Sequence, residues 1–315
     1  MKFNRQIVKR AVNVLCLVSA MSMLLAARAT RFEPPAKESM DPIYLNHFFL
    51  TVDPQTYKEI SESQFLKDEF AAFEQRTTVR ADMTYTGIYF YGTRTYFEFF
   101  EAGKASGRME GASGVASGIE ARGGSDRLKG HLESSLKIGA MKTTITRKTN
   151  DKDVPWFHSV GGNFGNKASV ITTWTMEYHE DFLNNWYPEL SPRTRGITRE
   201  EVLERYTAKL GDNEKRKQKY IDDVIEMRLA LDEKDGAGFI KERESFGYKI
   251  LSDADKTTCE GPGIKYVVTA RTPESVGITA IKLSLRKNKT GQKVYRFGRR
   301  SVLQFNDDRT ATWSF

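Results

Sequence analysis

The chain has 315 residues, of which 29% are charged and 39% are hydrophobic, and its formal net charge is +8. A chain of this length can bury a large core and is expected to form more than one domain. Its only cysteines are Cys16 and Cys259, a number that excludes a fold held together by several disulfides.

Residues 1–29 have the three parts of a secretory signal peptide. A basic segment, MKFNRQIVKR, precedes the apolar segment AVNVLCLVSAMSMLLAA, and ARA supplies small residues for cleavage after Ala29. An uncleaved membrane anchor is the alternative, but the apolar run is short for a span of ~20 residues. We therefore expect a periplasmic or secreted protein with no stable membrane association after cleavage.

Removal of this segment changes what the net charge implies. Five of the 49 basic residues, and none of the 41 acidic ones, lie in residues 1–29, which leaves 44 basic residues and a net charge of +3. The sequence pI of about 9.2 therefore reflects mainly the signal segment. Nucleic acid is not an expected partner of the mature chain.

Residues 30–42 are expected to form a polar linker, and a β-α-β-β-β order of elements follows it. The helix is predicted within residues 61–75, with Ser63 as its N-cap and Leu66, Phe70 and Phe73 on one face. The expected strands are IYLNHFFLTV, RTTVRADM, YTGIYFYG and TRTYFEFF.

A glycine-rich crossing, EAGKASGRMEGASG, leads to a second set of elements in the same order. Its helix is predicted to begin near Ser125 and to place Leu128, Leu132 and Leu136 on one face. The expected strands are GVASGIEAR, KTTITRKT, PWFHSVGG and SVITTWTMEYH. Two such units indicate a paired, pseudo-symmetric domain over residues 43–190 rather than a repeat array.

Charged residues dominate the next segment, 191–220, which is predicted to be a helical linker. Thr198 and Glu201 have the spacing of a capping box. Residues 221–315 are expected to form a C-terminal α+β unit, which is read as a degenerate third copy of the repeat. The fold class is therefore α+β.

Paired β-α-β-β-β units resemble the vicinal oxygen chelate superfamily, which includes glyoxalase I, ring-cleaving dioxygenases and bleomycin-resistance proteins. LNHFFLTV is similar to the first strand of that superfamily, and YFEFF and TMEYH are similar to its last strands. The resemblance implies one divalent metal ion held by His47, Glu98 and Glu177. The fourth ligand position has no counterpart, because the strand that opens the second unit carries Val115 or a neighbour there. A bacterial family of exported proteins without an assigned function is also similar to the longer run FLKDEFAAFEQRTTVRADMTYTGIYFYGTRTYFEFFEAG.

Strand alternation places Glu98 among aromatic side chains, where a carboxylate needs a charged partner or a cation. A histidine with two glutamates can hold a divalent ion and leave positions open for substrate. The simpler alternatives for Glu98 are an ion pair with Arg80 or Arg94 and a position facing solvent, and the simpler alternative for His47 is a core role.

Other side chains are candidates for catalysis or ligand binding. His179 and Glu180 are candidates for proton transfer, although a surface strand end would also explain them. Aromatic side chains on the strands could line a cup for a small-molecule ligand, although an ordinary sheet core would contain them too. The predicted pocket residues are Tyr89, Tyr91, Tyr96, Phe100, Trp156 and His158.

The sequence thus leaves three functions open. The first is metal-assisted lyase, isomerase or dioxygenase chemistry, the second is metal-free binding of a small molecule in an aromatic cup, and the third is an interaction protein without catalysis. Motifs typical of serine hydrolases, zincins and thiol-redox enzymes are absent from the sequence.

Overall fold

Two eight-stranded sheets make up the protein in a computed structural model that describes residues 40–80, 83–104, 107–149, 151–164, 170–186, 196–211 and 217–315. The predicted signal peptide and most of the predicted linker lie outside these residues. Residues Met40–Phe315 form one compact unit. Within the described residues, no helix has the length and apolar character needed to cross a membrane.

The first sheet is built from two β-α-β-β-β units, as the sequence predicts. Its strands run in the order β2-β3-β4-β1-β5-β8-β7-β6, so the two units meet where β1 pairs antiparallel with β5. The strands are β1 Ile43–Val52, β2 Ala72–Val79, β3 Thr84–Tyr91, β4 Tyr96–Glu101, β5 Ser113–Ile119, β6 Ala140–Thr149, β7 Lys152–Gly162 and β8 Ile171–Tyr178.

The second sheet repeats the same strand order, β10-β11-β12-β9-β13-β16-β15-β14. In chain order, its first four strands and the helix that connects two of them form a third unit. The last four strands have no helix between them in the described residues. The sequence had indicated at most one further copy. The strands are β9 Ile221–Leu231, β10 Lys249–Ser252, β11 Lys256–Gly261, β12 Ile264–Ala270, β13 Gly277–Leu285, β14 Val294–Phe297, β15 Ser301–Phe305 and β16 Thr310–Ser314.

In the part of the chain that the structure describes, five α-helices connect or flank these strands. They are α1 Pro54–Glu62, α2 Gly124–Gly130, α3 Glu180–Trp186, α4 Arg199–Lys209 and α5 Glu233–Ser245. The capping box predicted at Thr198 and Glu201 is present at the start of α4. Helix α2 begins at Gly124, close to the predicted start near Ser125, and Gly123 precedes it in a left-handed conformation.

The first helix differs from the prediction of residues 61–75. Asp53 caps it by accepting hydrogen bonds from Gln55 N and Thr56 N, and Pro54 occupies the first turn, so the helix begins earlier. Ser63 is its C-cap, and a π-helical turn over Leu66–Phe70 follows. Phe73 then lies in β2. The predicted helix extended into β2 because apolar residues at the start of this strand also fit a helical spacing.

The two faces of the first sheet have different neighbours because side chains alternate along each strand. Phe48 of β1, with Phe97 and Phe99 of β4, packs against the second sheet, where Trp313 is fully buried. The ring centroids of Phe99 and Trp313 are 5.2 Å apart. The opposite face forms a concave surface, and an antiparallel bridge between Arg80 and Arg147 joins the two ends of the sheet around it.

Candidate functional site

The concave face of the first sheet is divided into a filled half and an open half. Helix α4 fills one half, where Leu203 packs against Tyr89, Tyr91 and Tyr96. All three tyrosines predicted for the pocket therefore lie in a packed cluster instead. Tyr89 and Tyr91 are each 1% exposed.

The open half is a cavity of about 790 Å³, including the solvent space at its mouth. We call it the cup cavity. It is lined by His47, Phe49, Arg80, Met83, Tyr85, Glu98, Phe100, Arg108, Thr143, Ile145, Phe157, Ser159, Thr172 and Trp174.

Aromatic rings form the walls of the cup cavity. The centroid of Phe49 lies 5.4 Å from that of Phe100 and 6.1 Å from that of Trp174, and Tyr85 contacts Phe100 edge to face. The guanidinium of Arg108 lies 4.4 Å from the centroid of Phe49. The cavity therefore combines flat apolar walls with a positive charge.

Glu98 is buried in this cavity, with 6% of its surface exposed. Burial raises the pKa of its carboxyl from 4.5 to about 8, against the opposing effect of the charges on Arg76 and Arg108. A hydrogen bond from Tyr89 also favours the ionised form. At neutral pH the carboxyl is mainly protonated and can donate a hydrogen bond.

His47 lies beside Glu98, with its Nε2 3.7 Å from the Oε1 of Glu98. Its ring stacks on Tyr96 with centroids 4.4 Å apart, and its Nδ1 donates to the Asn46 Oδ1 at 2.8 Å. This hydrogen bond leaves the lone pair on Nε2. Burial lowers the pKa of His47 to about 3. The two side chains therefore form a neutral pair near pH 7 rather than an ion pair.

The remaining predicted site residues lie outside the cup cavity. Trp156 is 8% exposed and packs with Phe182 beneath the guanidinium of Arg147. Another cavity, of about 730 Å³, is lined in part by His158, Glu177, His179 and Glu180. We call it the outer cleft.

Glu177 is held by backbone groups in the outer cleft. Its Oε1 accepts a hydrogen bond from Gly123 N at 2.5 Å, and its Oε2 accepts one from Ser125 N at 2.7 Å. Glu180 forms an ion pair with Arg122 at 2.7 Å. The carboxylates of both residues are thus engaged near the start of α2.

The two histidines of the outer cleft are neighbours. The ring centroids of His158 and His179 are 4.8 Å apart. Burial and the nearby charge of Lys142 lower the pKa of His158. The predicted catalytic residue His179 and the predicted pocket residue His158 therefore share a site, but that site is separate from His47 and Glu98.

The predicted three-ligand metal set does not fit this arrangement. His47 and Glu98 meet in the cup cavity, whereas Glu177 uses both carboxylate oxygens in the outer cleft. Among the described residues, no three His, Cys, Asp or Glu side chains are grouped so that they could hold a metal ion. Arg108 also places a cation beside Glu98, which opposes the binding of a divalent cation there.

Several residues of the cup cavity were missed from the sequence. Phe49 follows His47 on the same strand face, and Trp174 lies on the concave side of β8, so strict strand alternation could have identified both. Arg108 comes from the glycine-rich crossing between the two units. Nothing in the strand pattern indicates that this loop brings a guanidinium onto the cavity wall.

A glycine in β5 keeps the cup cavity wall closely packed. A Cβ at Gly114 would lie 2.3 Å from Phe49 Cε1 and 2.7 Å from Trp174 Cζ3. We expect Gly114→Ala to lower the free energy of unfolding by about 1–3 kcal/mol, because the ring of Phe49 is already enclosed by its neighbours. Gly139→Ala is the matched control, since no atom lies within 4 Å of its added methyl group. Urea unfolding of both variants would test this, and equal losses would contradict it.

Comparisons with known proteins identify one family and two solved structures of low similarity. A family model described as "Family of unknown function (DUF5829)" matches residues 45–315. None of the curated proteins matches the chain. A hypothetical protein from Staphylococcus aureus has a TM-score of 0.45 at 10% identity, over 75% of this chain and 88% of that one.

The second likeness is to a xylose isomerase-like TIM barrel/4-hydroxyphenylpyruvate dioxygenase fusion protein. Its TM-score is 0.41 at 8% identity, and the match covers 85% of this chain and 40% of the fusion protein. Neither likeness bears on activity. The glyoxalase-like description of the fold rests on the β-α-β-β-β units and the strand order of the sheets.

Proposed function

Because the chain belongs to DUF5829, a family of unknown function, no activity comes with the family, and we propose that the protein binds a small aromatic carboxylate in the cup cavity. One observation carries the proposal: a single cavity combines aromatic walls, an arginine, and a buried neutral carboxyl beside an imidazole lone pair. Pockets for small ligands typically combine apolar walls with a few polar groups that fix orientation.

The walls favour a flat ligand. Phe49, Phe100, Tyr85 and Trp174 present ring faces and edges to the cavity. Aromatic pairs with centroids between 4.5 and 7 Å gain roughly 0.5–1.5 kcal/mol beyond the effect of buried area. A ring bound among these side chains would make several such contacts.

The polar groups favour an anion on that ring. The guanidinium of Arg108 makes no hydrogen bond or ion pair with another side chain in the described part of the chain, and a carboxylate is its natural bidentate partner. The protonated carboxyl of Glu98 can donate a further hydrogen bond to the anion. His47 Nε2 can accept one from a hydroxyl group of the ligand.

The proposal uses no metal, because His47, Glu98 and Glu177 do not converge on one point and the charges of Arg76 and Arg108 act on Glu98. Acid–base catalysis on the bound ligand is the second candidate function. It is favoured by the opposed pKa shifts of Glu98 and His47, which provide a proton donor and a proton acceptor in one cavity.

Binding of benzoate and 4-hydroxybenzoate is the direct test, with uncharged benzamide as the matched probe. Trp174 lines the cavity, so tryptophan fluorescence should change on binding, and Trp174→Phe should remove that change. Arg108→Gln should weaken benzoate binding by roughly 10- to 100-fold, because a hydrogen bond to a charged group contributes about 1.5–3 kcal/mol.

Lys104→Gln is the control for Arg108→Gln. It removes an exposed cation from the same glycine-rich segment, where Lys104 pairs with Glu101 at 3.0 Å, and it should leave affinity unchanged. Equal affinity for benzoate and benzamide would contradict the proposal. Binding that survives Arg108→Gln unaltered would also contradict it.

We also propose that the protein is exported, and residues 1–29 alone support this. Intact mass measurement of the protein from its native host should give a chain that begins at Thr30. A chain that still contains residues 1–29 would contradict export by cleavage.

A further inference from the structure

The outer cleft contains a second set of groups that the proposed function does not use. His158 of β7 and His179, directly after β8, have ring centroids 4.8 Å apart. We propose that these two imidazoles bind one divalent ion of the zinc and copper class. The proposal is independent of the cup cavity and of ligand binding there.

The Nδ1 nitrogen of each ring contacts a neighbouring polar group. His158 Nδ1 is 2.9 Å from the hydroxyl oxygen of Thr144. His179 Nδ1 accepts from Asp181 N at 3.1 Å and lies 3.7 Å from the Asp181 carboxylate. Metal-binding histidines commonly donate the N–H of the nitrogen that does not bind the metal to an acceptor that fixes the ring orientation. The Thr144 hydroxyl and the Asp181 carboxylate can serve as these acceptors.

Both Nε2 atoms can bind a metal, that of His179 after its ring proton has moved from Nε2 to Nδ1. Within the described residues, neither makes a hydrogen bond, since the contacts of these rings all involve Nδ1 or the ring faces. Zinc binds histidine nitrogen at about 2.0–2.1 Å, so a tetrahedral site needs the two nitrogens a little over 3 Å apart. Rings with centroids 4.8 Å apart can meet this requirement.

The proton balance of binding is simple. His158 can donate Nδ1–H to Thr144 and bind the ion through Nε2. In His179 the ring proton moves from Nε2 to Nδ1, so Nδ1 loses the hydrogen bond from Asp181 N and donates one to the Asp181 carboxylate instead. No proton need leave the site when both imidazoles are neutral, and water would complete the coordination. The carboxylate of Glu177 stays with its backbone donors.

Imidazole nitrogen selects among metal ions. It suits zinc, copper and nickel, whereas magnesium and calcium prefer oxygen ligands. We therefore expect Cu²⁺ to bind more tightly than Zn²⁺, and Mg²⁺ not to bind at the outer cleft.

Calorimetric titration of the full protein with ZnCl₂ and CuCl₂ tests the proposal. One ion should bind per chain, and His158→Ala and His179→Ala should each weaken binding by more than about tenfold. Thr144→Ala and Asp181→Asn should weaken it by roughly 10- to 100-fold, as expected for groups that orient a ligand. His131→Ala should have no effect, because His131 is not among the residues that line the outer cleft.

Spectroscopy adds a readout that a change in stability cannot mimic. The electron paramagnetic resonance spectrum of the Cu²⁺ protein should show coupling to two imidazole nitrogens, and each single variant should reduce it to one. Loss of binding in His47→Ala, with binding retained in both His158→Ala and His179→Ala, would move the metal to the cup cavity and overturn the proposal. The absence of stoichiometric binding would overturn it as well.

Discussion

Arg243→Met should lower the free energy of unfolding by about 3–5 kcal/mol, because the change leaves a buried carboxylate without its cation. Arg243 is fully buried in α5 and donates from Nη2 to Glu242 Oε2 at 2.5 Å. It also donates from Nη1 to Ser117 Oγ of β5 at 2.8 Å. Glu242 is 4% exposed and in turn accepts a hydrogen bond from Thr173 of β8 at 3.0 Å.

The ion pair of Arg243 and Glu242 connects the third unit to the first sheet. Helix α5 belongs to the third unit, whereas Ser117 and Thr173 belong to the first sheet. The rings of Phe239 and Phe246 each lie 4.9 Å from the guanidinium carbon and keep water from it. A methionine fills similar space among the rings but cannot bond to Glu242 or Ser117.

Urea unfolding of the parent and of three variants would measure the effect. Arg243→Met combined with Glu242→Gln should lose less stability than Arg243→Met alone, because no buried charge is left unpaired. Lys129→Met is the surface control. It breaks an exposed ion pair with Glu133 at 2.6 Å and should change stability by less than about 0.5 kcal/mol. A loss for Arg243→Met as small as that of the control would contradict the prediction.

The sequence predicted the first sheet well because its strands have strong local signals. β1 and β4 are nearly continuous apolar runs, and β5 follows a glycine-rich turn. The repetition of a β-α-β-β-β order then indicated the paired units. The strands of the second sheet were harder to predict, because β10, β11 and β14 are short or polar and give only a weak strand signal.

The candidate site was predictable only in part, because strand alternation was the main signal available for it. Alternation placed Glu98 and Phe100 on one face, and both line the cup cavity with His47. Alternation could not reveal that α4 fills the other half of the concave face. Nor could it reveal that Glu177 lies against the amides that precede and begin α2, since those contacts depend on how the helix sits on its sheet.

The pair His47 and Glu98 should give the folding stability a plateau between pH 4.5 and 6.5, with a decline on each side. The folded pKa of Glu98 is about 8 against an ordinary value of 4.5, and that of His47 is about 3 against 6.5. Between pH 4.5 and 6.5, folding keeps a proton on Glu98 and keeps one off His47. The folded and unfolded chains then bind equal numbers of protons at this pair, so its contribution is constant.

Outside that range, one of the two effects acts alone. From pH 6.5 to about 8, only the folded chain holds the Glu98 proton, so stability falls as pH rises. From pH 4.5 down to about 3, only the unfolded chain protonates His47, so stability falls as pH decreases. Each slope approaches about 1.4 kcal/mol per pH unit, and each decline amounts to roughly 2 kcal/mol.

Two variants separate the two declines. Glu98→Gln should remove the alkaline decline and extend the acid decline upward to pH 6.5, because His47 then acts alone. His47→Gln should remove the acid decline and let the alkaline decline begin at pH 4.5. The measurement is the free energy of unfolding from urea titrations between pH 3 and 9, taken as the difference between each variant and the parent so that other titrating groups cancel. A difference for Glu98→Gln that stays constant from pH 6.5 to 8 would show that Glu98 ionises normally in the folded protein. The carboxyl could not then be the neutral donor that the proposed ligand site requires.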